Sequence, residues 1–393
     1  MSEFADLLLA ALALPATFTC AYLALLTLLS GRAPLPRESS RQLCFDVIVP
    51  AHDEESGIAR TVSSLLAMEW PAARFRVLVV ADNCSDATAS VARAAGAQVL
   101  ERHDLTLRGK GYALAYAFES SARAGFAAAV VVVDADSQVS PNLLEAFATR
   151  IENGEKVIQA HYGVLNPQAS WRTRLMTIAI GAFHIVRSRA RERLGLSCGV
   201  RGNGWCVTHA QLRKLPYRFY SLVEDLEYGI ALGLAGVRVA YADEAHANAD
   251  MVSGEKIARK QRRRWEQGRF EMVRSRTMPL LAAALKNRSK ICLDLAFDLI
   301  VPPLSYLTLN IVALGVVATV AGVWLPSARF WAWWALGCFG VLSLHVLRGW
   351  QVSGMGARGL TALAHVPVFV LWKVALLFGR KTHEWVRTER EKS

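Results

Sequence analysis

Apolar residues are concentrated at the two ends of this 393-residue chain. Residues 7–29 form an almost uninterrupted apolar run, which is long enough to cross a bilayer as one helix. Glu3 and Asp6 precede the run, whereas a cleaved signal peptide would begin with basic residues. Basic residues follow it, at Arg32, Arg37 and Arg41. Because cytoplasmic flanks are rich in Lys and Arg, the pattern predicts a membrane helix with its N-terminus outside and the following chain in the cytoplasm.

Two further apolar runs, residues 295–325 and 330–347, lie towards the C-terminus and are joined by a short connection. Basic residues flank the pair on both sides, at Lys286, Arg288, Lys290 and Arg348. The same charge rule therefore predicts a membrane hairpin with both of its ends in the cytoplasm.

A fourth apolar run, residues 363–378, is shorter and contains Pro367 and Lys373. A spanning helix here would place the basic C-terminal tail outside, against the charge rule. We therefore expect a helix that lies in the membrane interface, with a spanning or re-entrant segment as the alternative.

The middle of the chain, from residue 45 to about 245, alternates between strand and helix patterns. Buried-type strands are predicted at residues 45–51, 75–80, 97–100 and 128–133. Helical patterns fall between or after them, at residues 54–68, 86–95 and 111–123. This alternation predicts an α/β domain with a mainly parallel sheet, whose ligands bind beyond the carboxyl ends of the strands.

The predicted organisation has three parts. Residues 1–44 form an N-terminal transmembrane helix and linker, and residues 45–285 form a cytoplasmic catalytic domain with interfacial helices. Residues 286–393 form the C-terminal transmembrane hairpin, the interfacial helix and the basic tail.

Composition and charge agree with attachment to a membrane. The chain is 53% hydrophobic and its mean hydropathy is +0.25, which is too apolar for an ordinary soluble enzyme. The net charge is +12, but many basic residues flank apolar segments, which favours anionic lipid headgroups over nucleic acid as the partner. Four arginines after the apolar residues 175–186 are expected on a helix at the membrane surface: Arg187, Arg189, Arg191 and Arg193. The seven cysteines contain no Cys-x-x-Cys pair, which argues against structural zinc, and we expect no disulfides.

Acidic clusters follow three of the predicted strands. Helix capping accounts for Ser85 or Asp86, since Ser and Asp favour helix N-termini. It does not account for Asp82, Asp134 and Asp136 together at one edge of a sheet. Carboxylates brought together repel unless a cation compensates them, and a hard divalent ion shared with a diphosphate is a suitable partner.

These clusters belong to a longer series of motifs: Pro50-Ala51-His52-Asp53-Glu54-Glu55, Ala81-Asp82-Asn83, Gly109-Lys110-Gly111, Asp134-Ala135-Asp136, Glu224-Asp225 and Gln261-x-x-Arg264-Trp265. The series resembles membrane-bound family-2 glycosyltransferases, among them cellulose synthase, hyaluronan synthase and the chitin-oligosaccharide synthases. The resemblance covers residues 45–270 and the membrane layout, and Gln-x-x-Arg-Trp is its most specific part. It implies a GT-A nucleotide-binding fold and inversion at the anomeric carbon.

The resemblance also implies roles on the donor side. The residues that would bind the nucleotide-sugar donor, expected to be a UDP-sugar, are His52, Glu54, Asp82, Lys110 and Asp134. Asp136, together with Asp134, would hold Mg²⁺ or Mn²⁺ between the two phosphates. A metal and an arginine can stabilise the departing diphosphate electrostatically.

On the acceptor side, the resemblance implies that Asp225 is the general base, with Glu224 beside it. Arg264 would pair with the diphosphate, and Gln261 and Trp265 would contact the acceptor sugar. A nearby carboxylate is needed because an acceptor hydroxyl is a poor nucleophile until its proton is removed.

Two positions depart from the family pattern. Val223 stands where a threonine usually precedes Glu-Asp, which puts the acceptor geometry in doubt. His52-Asp53 replaces an aromatic or polar residue followed by Asn, which affects contacts with the base. The glycine-rich residues 199–204 are open to two interpretations, an acceptor-binding loop or a turn into a strand.

The sequence therefore predicts a metal-dependent inverting glycosyltransferase of the cell (inner) membrane that extends a polysaccharide or oligosaccharide. A lipid or lipid-linked acceptor is one alternative, because three helices are too few to enclose a polymer channel unless the chain forms a homo-oligomer. A non-catalytic scaffold that binds sugar nucleotides is the other alternative, and the intact acidic and Arg-Trp motifs argue against it.

Overall fold

The computed structural model describes residues 2–251 and 255–370, with side chains described for residues 3–251 and 262–370. The strands are β1 Phe45–Ala51, β2 Phe75–Asp82, β3 Gln98–Arg102, β4 Ala129–Val132, β5 Ser137–Val139, β6 Val157–Val164, β7 Trp205–Thr208 and β8 Val239–Ala249. The helices are α1 Ser2–Leu28, α2 Ile58–Leu66, α3 Thr88–Ala94, α4 Lys110–Ala124, α5 Leu143–Glu152, α6 Trp171–Ile180, α7 Arg187–Leu194, α8 His209–Lys214, α9 Glu224–Leu234, α10 Glu255–Lys286, α11 Lys290–Ile300, α12 Leu304–Ala321, α13 Ala328–Val352 and α14 Gly356–Leu363. A 3₁₀ turn at Ala72–Arg74 precedes β2, and a π-helical segment at Gly181–Val186 joins α6 to α7.

The strands form one eight-stranded sheet in the order β3-β2-β1-β4-β7-β6-β8-β5. β1 to β4 pair in parallel, as the alternation of strands and helices predicts, and β6 pairs in parallel with β8. β7 runs antiparallel to both β4 and β6, and β5 antiparallel to β8. The predicted α/β fold is confirmed, but the sheet is mixed rather than mainly parallel. The sequence did not predict the antiparallel strands, because the residue pattern of a strand as short as β7 does not show whether it runs parallel or antiparallel to its neighbours.

The core lies on both faces of the sheet, because successive residues of a strand point to opposite sides. Val49 of β1 belongs to the apolar cluster that includes Leu65 of α2. Ile48, one residue earlier, belongs to a second cluster that includes Phe118 of α4. Full burial of such a side chain contributes about 1.5–3 kcal/mol to stability. The parallel pairing of β1, β2 and β4 then brings their carboxyl ends to the same edge.

The chain divides into two compact units. One unit comprises residues 32–167 and 191–296 and contains the whole sheet. The other, in the described part of the chain, comprises residues 2–31, 168–190 and 297–370 and contains α1, α12 and α13.

In the part of the chain that the structure describes, three helices are long and apolar enough to cross a membrane: Glu3–Leu28, Leu304–Ala321 and Ala328–Val352. The second begins at Leu304, not at residue 295 as predicted, since Pro302 and Pro303 have no amide hydrogen to continue the helix. Most of the expected interfacial helix, together with the basic tail, lies beyond residue 370 and so outside the described residues.

Two of the four arginines expected at the membrane surface are buried in ion pairs instead. Arg187 is 3% exposed and donates from Nη1 to Asp298 Oδ1 over 3.0 Å. Arg191 is fully buried and donates from Nε to Asp294 Oδ2 over 2.9 Å. A buried charge requires a partner of opposite sign. The prediction was wrong for these residues because their acidic partners lie about a hundred positions further along the chain.

Candidate functional site

The loops that follow β1 and β2 are bound to each other. Asp53 Oδ1 accepts a hydrogen bond from the Ser85 amide over 2.6 Å, and Asp86 Oδ2 accepts one from the Glu55 amide over 3.1 Å. Asp86 Oδ1 also accepts from the amide of Thr88, the first residue of α3, in a turn just before the helix; the N-cap itself is Ala87, not Ser85 or Asp86 as predicted. Asp53 and Asp86 therefore hold the two loops together.

His52 and Asp82, both predicted to bind the donor, are neighbours at this edge. The His52 Nδ1 atom lies 2.7 Å from the Asp82 carbonyl oxygen. The Asp82 carboxylate is nearly buried and accepts hydrogen bonds from Arg102 over 2.6 Å and from the Asn83 side chain over 3.1 Å. Burial raises the pKa of Asp82, and the opposing effect of Arg102 is smaller. The amide of Glu54, also predicted to bind the donor, donates a hydrogen bond to the Thr88 hydroxyl over 2.7 Å.

Lys110 begins α4 and lies among carboxylates. Its ammonium group donates to Asp134 Oδ1 and, over 2.7 Å, to the carbonyl oxygen of Gly202. Burial alone lowers the pKa of Lys110, but the charges of Asp134, Glu224 and Asp225 outweigh burial and raise it. Lys110 therefore provides a positive charge that compensates three of the predicted site residues.

The glycine-rich residues 199–204 contain a functional residue that the sequence analysis missed. Asn203 is fully buried; its Oδ1 accepts from the Asp134 amide over 3.0 Å and its Nδ2 donates to Ser137 Oγ over 2.9 Å. The Asn203 side chain thus ties both ends of the turn that carries Asp136. The flanking Gly202 and Gly204 have φ of +80° and +65°, which side chains rarely adopt, so the Gly-x-Gly pattern around a polar residue was an available signal.

Removing Asn203 should loosen this turn. The substitution Asn203→Ala leaves the buried amide of Asp134 without its acceptor, which costs about 1–3 kcal/mol of stability. We expect a lower melting temperature in detergent than for wild type. Asn153→Ala, which removes one hydrogen bond to the Thr149 carbonyl at the end of α5, is the matched control. Equal melting temperatures for the two variants would show that Asn203 does not hold the turn.

Glu224 and Asp225 open α9 and face the glycine-rich segment. A Cβ atom built on Gly202, whose φ is +80°, would lie 3.0 Å from Asp225 Oδ2, so the backbone of this glycine approaches the carboxylate closely. Burial raises the pKa of both acids, that of Glu224 to about 7, and the charge of Asp225 adds to the shift of Glu224. The charge of Lys110 opposes both shifts.

Helix α10, which carries the Arg-Trp motif, packs on the residue that departs from the family pattern. A Cβ atom built on Gly268 would lie 2.4 Å from Val223 Cγ1, so α10 approaches the start of α9 closely. Val223 therefore contributes a packing contact where the family has a hydroxyl. Further along, Arg276 Nη2 donates to Glu227 Oε1 of α9 over 3.0 Å.

Arg264 lies one turn before Gly268 and is half-buried, as is Trp265. Among the described residues, the buried Nε atom of Arg264 has no hydrogen-bond partner. A guanidinium donor without a partner can bind an anionic ligand. The side chain of Gln261, predicted to contact the acceptor, lies outside those that the structure describes.

Tyr162 of β6 is a second residue that sequence reasoning missed. The pKa of its hydroxyl responds to the charges of several predicted site residues. Burial raises the pKa of its hydroxyl well above the usual value, and the charges of Asp134, Asp136 and Asp225 raise it further. The charge of Arg264 lowers the same pKa. Four residues, from the turn between β4 and β5, from α9 and from α10, therefore act electrostatically on one hydroxyl.

The carboxylates of Asp134 and Asp136 fit a hard divalent cation, because Mg²⁺ and Mn²⁺ prefer oxygen ligands. These two residues would supply part of the coordination, and a diphosphate and water would supply the rest. Within the described residues, three ligand-type side chains also cluster at Asp53, Cys84 and Asp86. The carboxylates of that second group already accept backbone hydrogen bonds.

Comparison with known proteins identifies the class of protein that this fold and site define. Residues 42–268 match the family described as "Glycosyltransferase like family 2". Since the match covers more than half of the chain, the protein belongs to this glycosyltransferase family, and the resemblance of its motifs is confirmed at that level.

Individual relatives are more distant. "Probable glycosyltransferase YdaM" of Bacillus subtilis is 24% identical over 281 residues, which cover 67% of this chain and 64% of that protein. "Probable glucomannan 4-beta-mannosyltransferase 1" of Arabidopsis thaliana is 23% identical over 247 residues, covering 59% of this chain and 44% of that protein. The chain thus spans less than two thirds of the length of either relative.

A solved structure confirms the fold over nearly the whole chain. The mannosyltransferase PcManGT from Pyrobaculum calidifontis, solved in complex with GDP-Man and Mn²⁺, superposes with a TM-score of 0.56. The alignment covers 95% of this chain and 99% of that one, at 16% sequence identity. The similarity establishes a GT-A type fold.

Proposed function

We propose that this protein transfers a sugar from a nucleotide-sugar donor to an acceptor hydroxyl in a single, metal-dependent, inverting displacement. The observation that carries the proposal is the contact of Lys110 with both Asp134 and the carbonyl oxygen of Gly202, the glycine that lies against Asp225. The charges of Asp134, Asp136, Asp225 and Arg264 also act together on the pKa of the Tyr162 hydroxyl. Acids suited to a metal, a buried candidate base and an arginine for a diphosphate are thereby brought into one site.

On the donor side, Asp136 and Asp134 would hold Mg²⁺ or Mn²⁺, which when bound neutralises charge on the diphosphate. Arg264 would bind the same diphosphate through its fork of donors, and the unpartnered Nε atom supports this role. His52, Glu54 and Asp82 would bind the nucleoside, while Lys110 holds Asp134 in place.

On the acceptor side, Asp225 would remove the proton from the attacking hydroxyl. Its raised pKa makes the carboxylate a stronger base than an ordinary aspartate. One base that directs attack to one face of the sugar gives inversion in a single step. We propose that Trp265 and Gln261 contact a saccharide acceptor, which the protein extends at the cytoplasmic face of the cell membrane. The three apolar helices support attachment to that membrane.

The proposal is tested with the purified full chain in lipid nanodiscs, Mn²⁺ and a panel of nucleotide sugars, with oligosaccharides and a lipid extract as acceptors. We expect release of a nucleoside diphosphate coupled to sugar transfer. Product mass separates one added sugar from a polymer, and extraction into organic solvent reveals a lipid acceptor. Donor binding without turnover on any of these substrates would instead support the non-catalytic scaffold.

The acid limb of the pH–rate profile should report the pair Glu224 and Asp225. A general base acts only when ionised, so a raised pKa moves the loss of activity to higher pH than an ordinary carboxylate shows. We expect kcat/KM to decline at a higher pH than the usual range of a carboxylate, because burial raises the pKa of Asp225 and also that of the neighbouring Glu224, the latter to about 7.

A variant separates the two acids. Glu224→Gln removes a like charge next to Asp225, so it should move the acid limb to lower pH. A wild-type profile that stays flat down to about pH 5, near the usual range of carboxylates, would contradict the assignment of this pair.

Arg264 and Trp265 are adjacent but should fail differently when replaced. Arg264→Ala should remove charge stabilisation of the diphosphate and most turnover with every acceptor, and lysine should rescue it only in part because it lacks the bidentate fork. Trp265→Ala should weaken transfer while nucleotide affinity stays nearly unchanged. Melting temperature, nucleotide affinity and transfer are measured on the same samples. A large loss of nucleotide affinity in Trp265→Ala would count against an acceptor role.

A further inference from the structure

The side chain of Arg102 forms an ion pair with Asp82, the carboxylate that the proposed function assigns to the nucleoside. Arg102 ends β3, and Asp82 ends the neighbouring strand β2. Arg102 Nη1 donates to Asp82 Oδ1 over 2.6 Å, and Nη2 donates to Asp104 Oδ2 over 3.3 Å. The side chains of Arg102 and Asp82 are 10% and 8% exposed, so this pair is shielded from the screening that weakens surface ion pairs.

Aromatic residues hold Arg102 from another side. Its guanidinium carbon lies 5.9 Å from the centre of the Tyr112 ring, within the range of a cation–π contact. The Tyr112 ring stacks on Tyr220 with centres 4.1 Å apart and an angle of 4° between the planes. Arg102 is therefore fixed by two carboxylates and a ring rather than free to move away from Asp82.

This arrangement leaves one oxygen of Asp82 for a ligand. Oδ1 accepts from both Arg102 and the Asn83 side chain. Among the residues that the structure describes, Oδ2 accepts no hydrogen bond. A carboxylate is an acceptor only, so Asp82 can receive a hydrogen bond at Oδ2 but has no second free oxygen beside it.

The common nucleobases differ in what they offer to such a group. Uracil presents a single ring N–H between two carbonyl oxygens, which one carboxylate oxygen satisfies. Guanine presents a ring N–H beside an amino group, and a carboxylate binds this pair with both of its oxygens. Cytosine presents an acceptor at the corresponding ring nitrogen, which a carboxylate repels.

We propose that the Arg102–Asp82 pair makes the donor site selective for uracil nucleotides over guanine and cytosine nucleotides. The inference rests on the proposed function, which assigns Asp82 to the nucleoside. Arg102 determines specificity because, together with Asn83, it fills the lone pairs of Oδ1, the oxygen that the amino group of guanine would need.

The first test uses the wild-type chain and calorimetry with UDP, GDP and CDP, each with Mn²⁺. We expect UDP to bind at least about tenfold more tightly than GDP or CDP, since a mismatched donor or acceptor costs at least that much. GDP binding as tightly as UDP would overturn the inference and leave sugar transfer intact. Failure of all three nucleotides to bind, with no turnover on the donor panel, would remove the proposed function as well.

The second test uses Arg102→Met, which keeps the apolar stem and removes the donors. Because Oδ1 then keeps only the hydrogen bond from Asn83, its second lone pair can accept from the guanine amino group, and the preference for UDP over GDP should fall by about tenfold. Arg93→Met is the matched control, since Arg93 of α3 forms an exposed ion pair with Glu101 of β3, one residue before Arg102. An unchanged preference in Arg102→Met, at the melting temperature of wild type, would overturn the role of Arg102. The wild-type comparison decides the selectivity itself if this variant does not fold.

Discussion

Asp225→Asn should reduce sugar transfer by about 10²–10⁴-fold, the usual contribution of a general base, while donor binding stays near that of wild type. The amide keeps the shape of the side chain but cannot accept the proton of the acceptor hydroxyl. Single-turnover rates and calorimetry with a nucleoside diphosphate measure the two quantities separately.

Asp243→Asn is the matched control for this experiment. Asp243 forms an ion pair with Arg32 at 3.4 Å and is none of the predicted site residues, so the same chemical change there should leave transfer unaltered. Near-normal turnover in Asp225→Asn would rule this residue out as the base. Loss of donor binding together with transfer would show instead that Asp225 supports the donor site.

Asp136→Ala should abolish metal-dependent donor binding. Loss of a residue that only orients a metal ligand weakens metal binding by about 10–100-fold. Because Asp136 is proposed to be a ligand itself, we expect its loss to weaken metal-dependent donor binding by at least about 100-fold. The Asn203 clamp should keep the turn folded, because its two hydrogen bonds go to the Asp134 amide and to Ser137 and not to the Asp136 side chain. Calorimetry with a nucleoside diphosphate, with and without Mn²⁺, measures the effect.

The group formed by Asp53, Cys84 and Asp86 provides the contrasting variant. Cys84→Ala removes one of its three ligand-type side chains and should leave the metal dependence of donor binding unchanged. If Cys84→Ala lost that dependence and Asp136→Ala kept it, the metal would have to be placed between the loops that follow β1 and β2.

Much of the fold follows from local patterns. Apolar runs bounded by charged residues predicted the three candidate membrane helices, because a helix needs about 20 mostly apolar residues to cross a bilayer. The alternation of apolar strands with helices predicted the parallel pairing of β1 to β4, because strands joined by helices return in the same direction. That pairing brought His52 and Asp82 together, as expected from acids and polar residues that follow neighbouring strands.

Other features depend on partners that are far apart along the chain. The antiparallel direction of β7 could not be predicted from a strand of four residues. Arg187 and Arg191 were predicted at the membrane surface because their acidic partners follow only about a hundred residues later in the chain. The start of α12 at Leu304 is an intermediate case, since Pro302 and Pro303 were visible in the sequence.

For the candidate site, the sequence by itself determined the types of residue: acids after buried strands, a Glu-Asp pair and an Arg-Trp motif on a helix. Only the tertiary structure decided how these groups are held and what charges surround them. Asn203 clamps the Asp134–Ser137 turn, Tyr162 lies within the field of four charged residues, and Arg102 occupies one oxygen of Asp82. The physical reason is that side-chain identity is local, whereas burial, hydrogen-bond partners and the sum of nearby charges arise only when distant segments pack together.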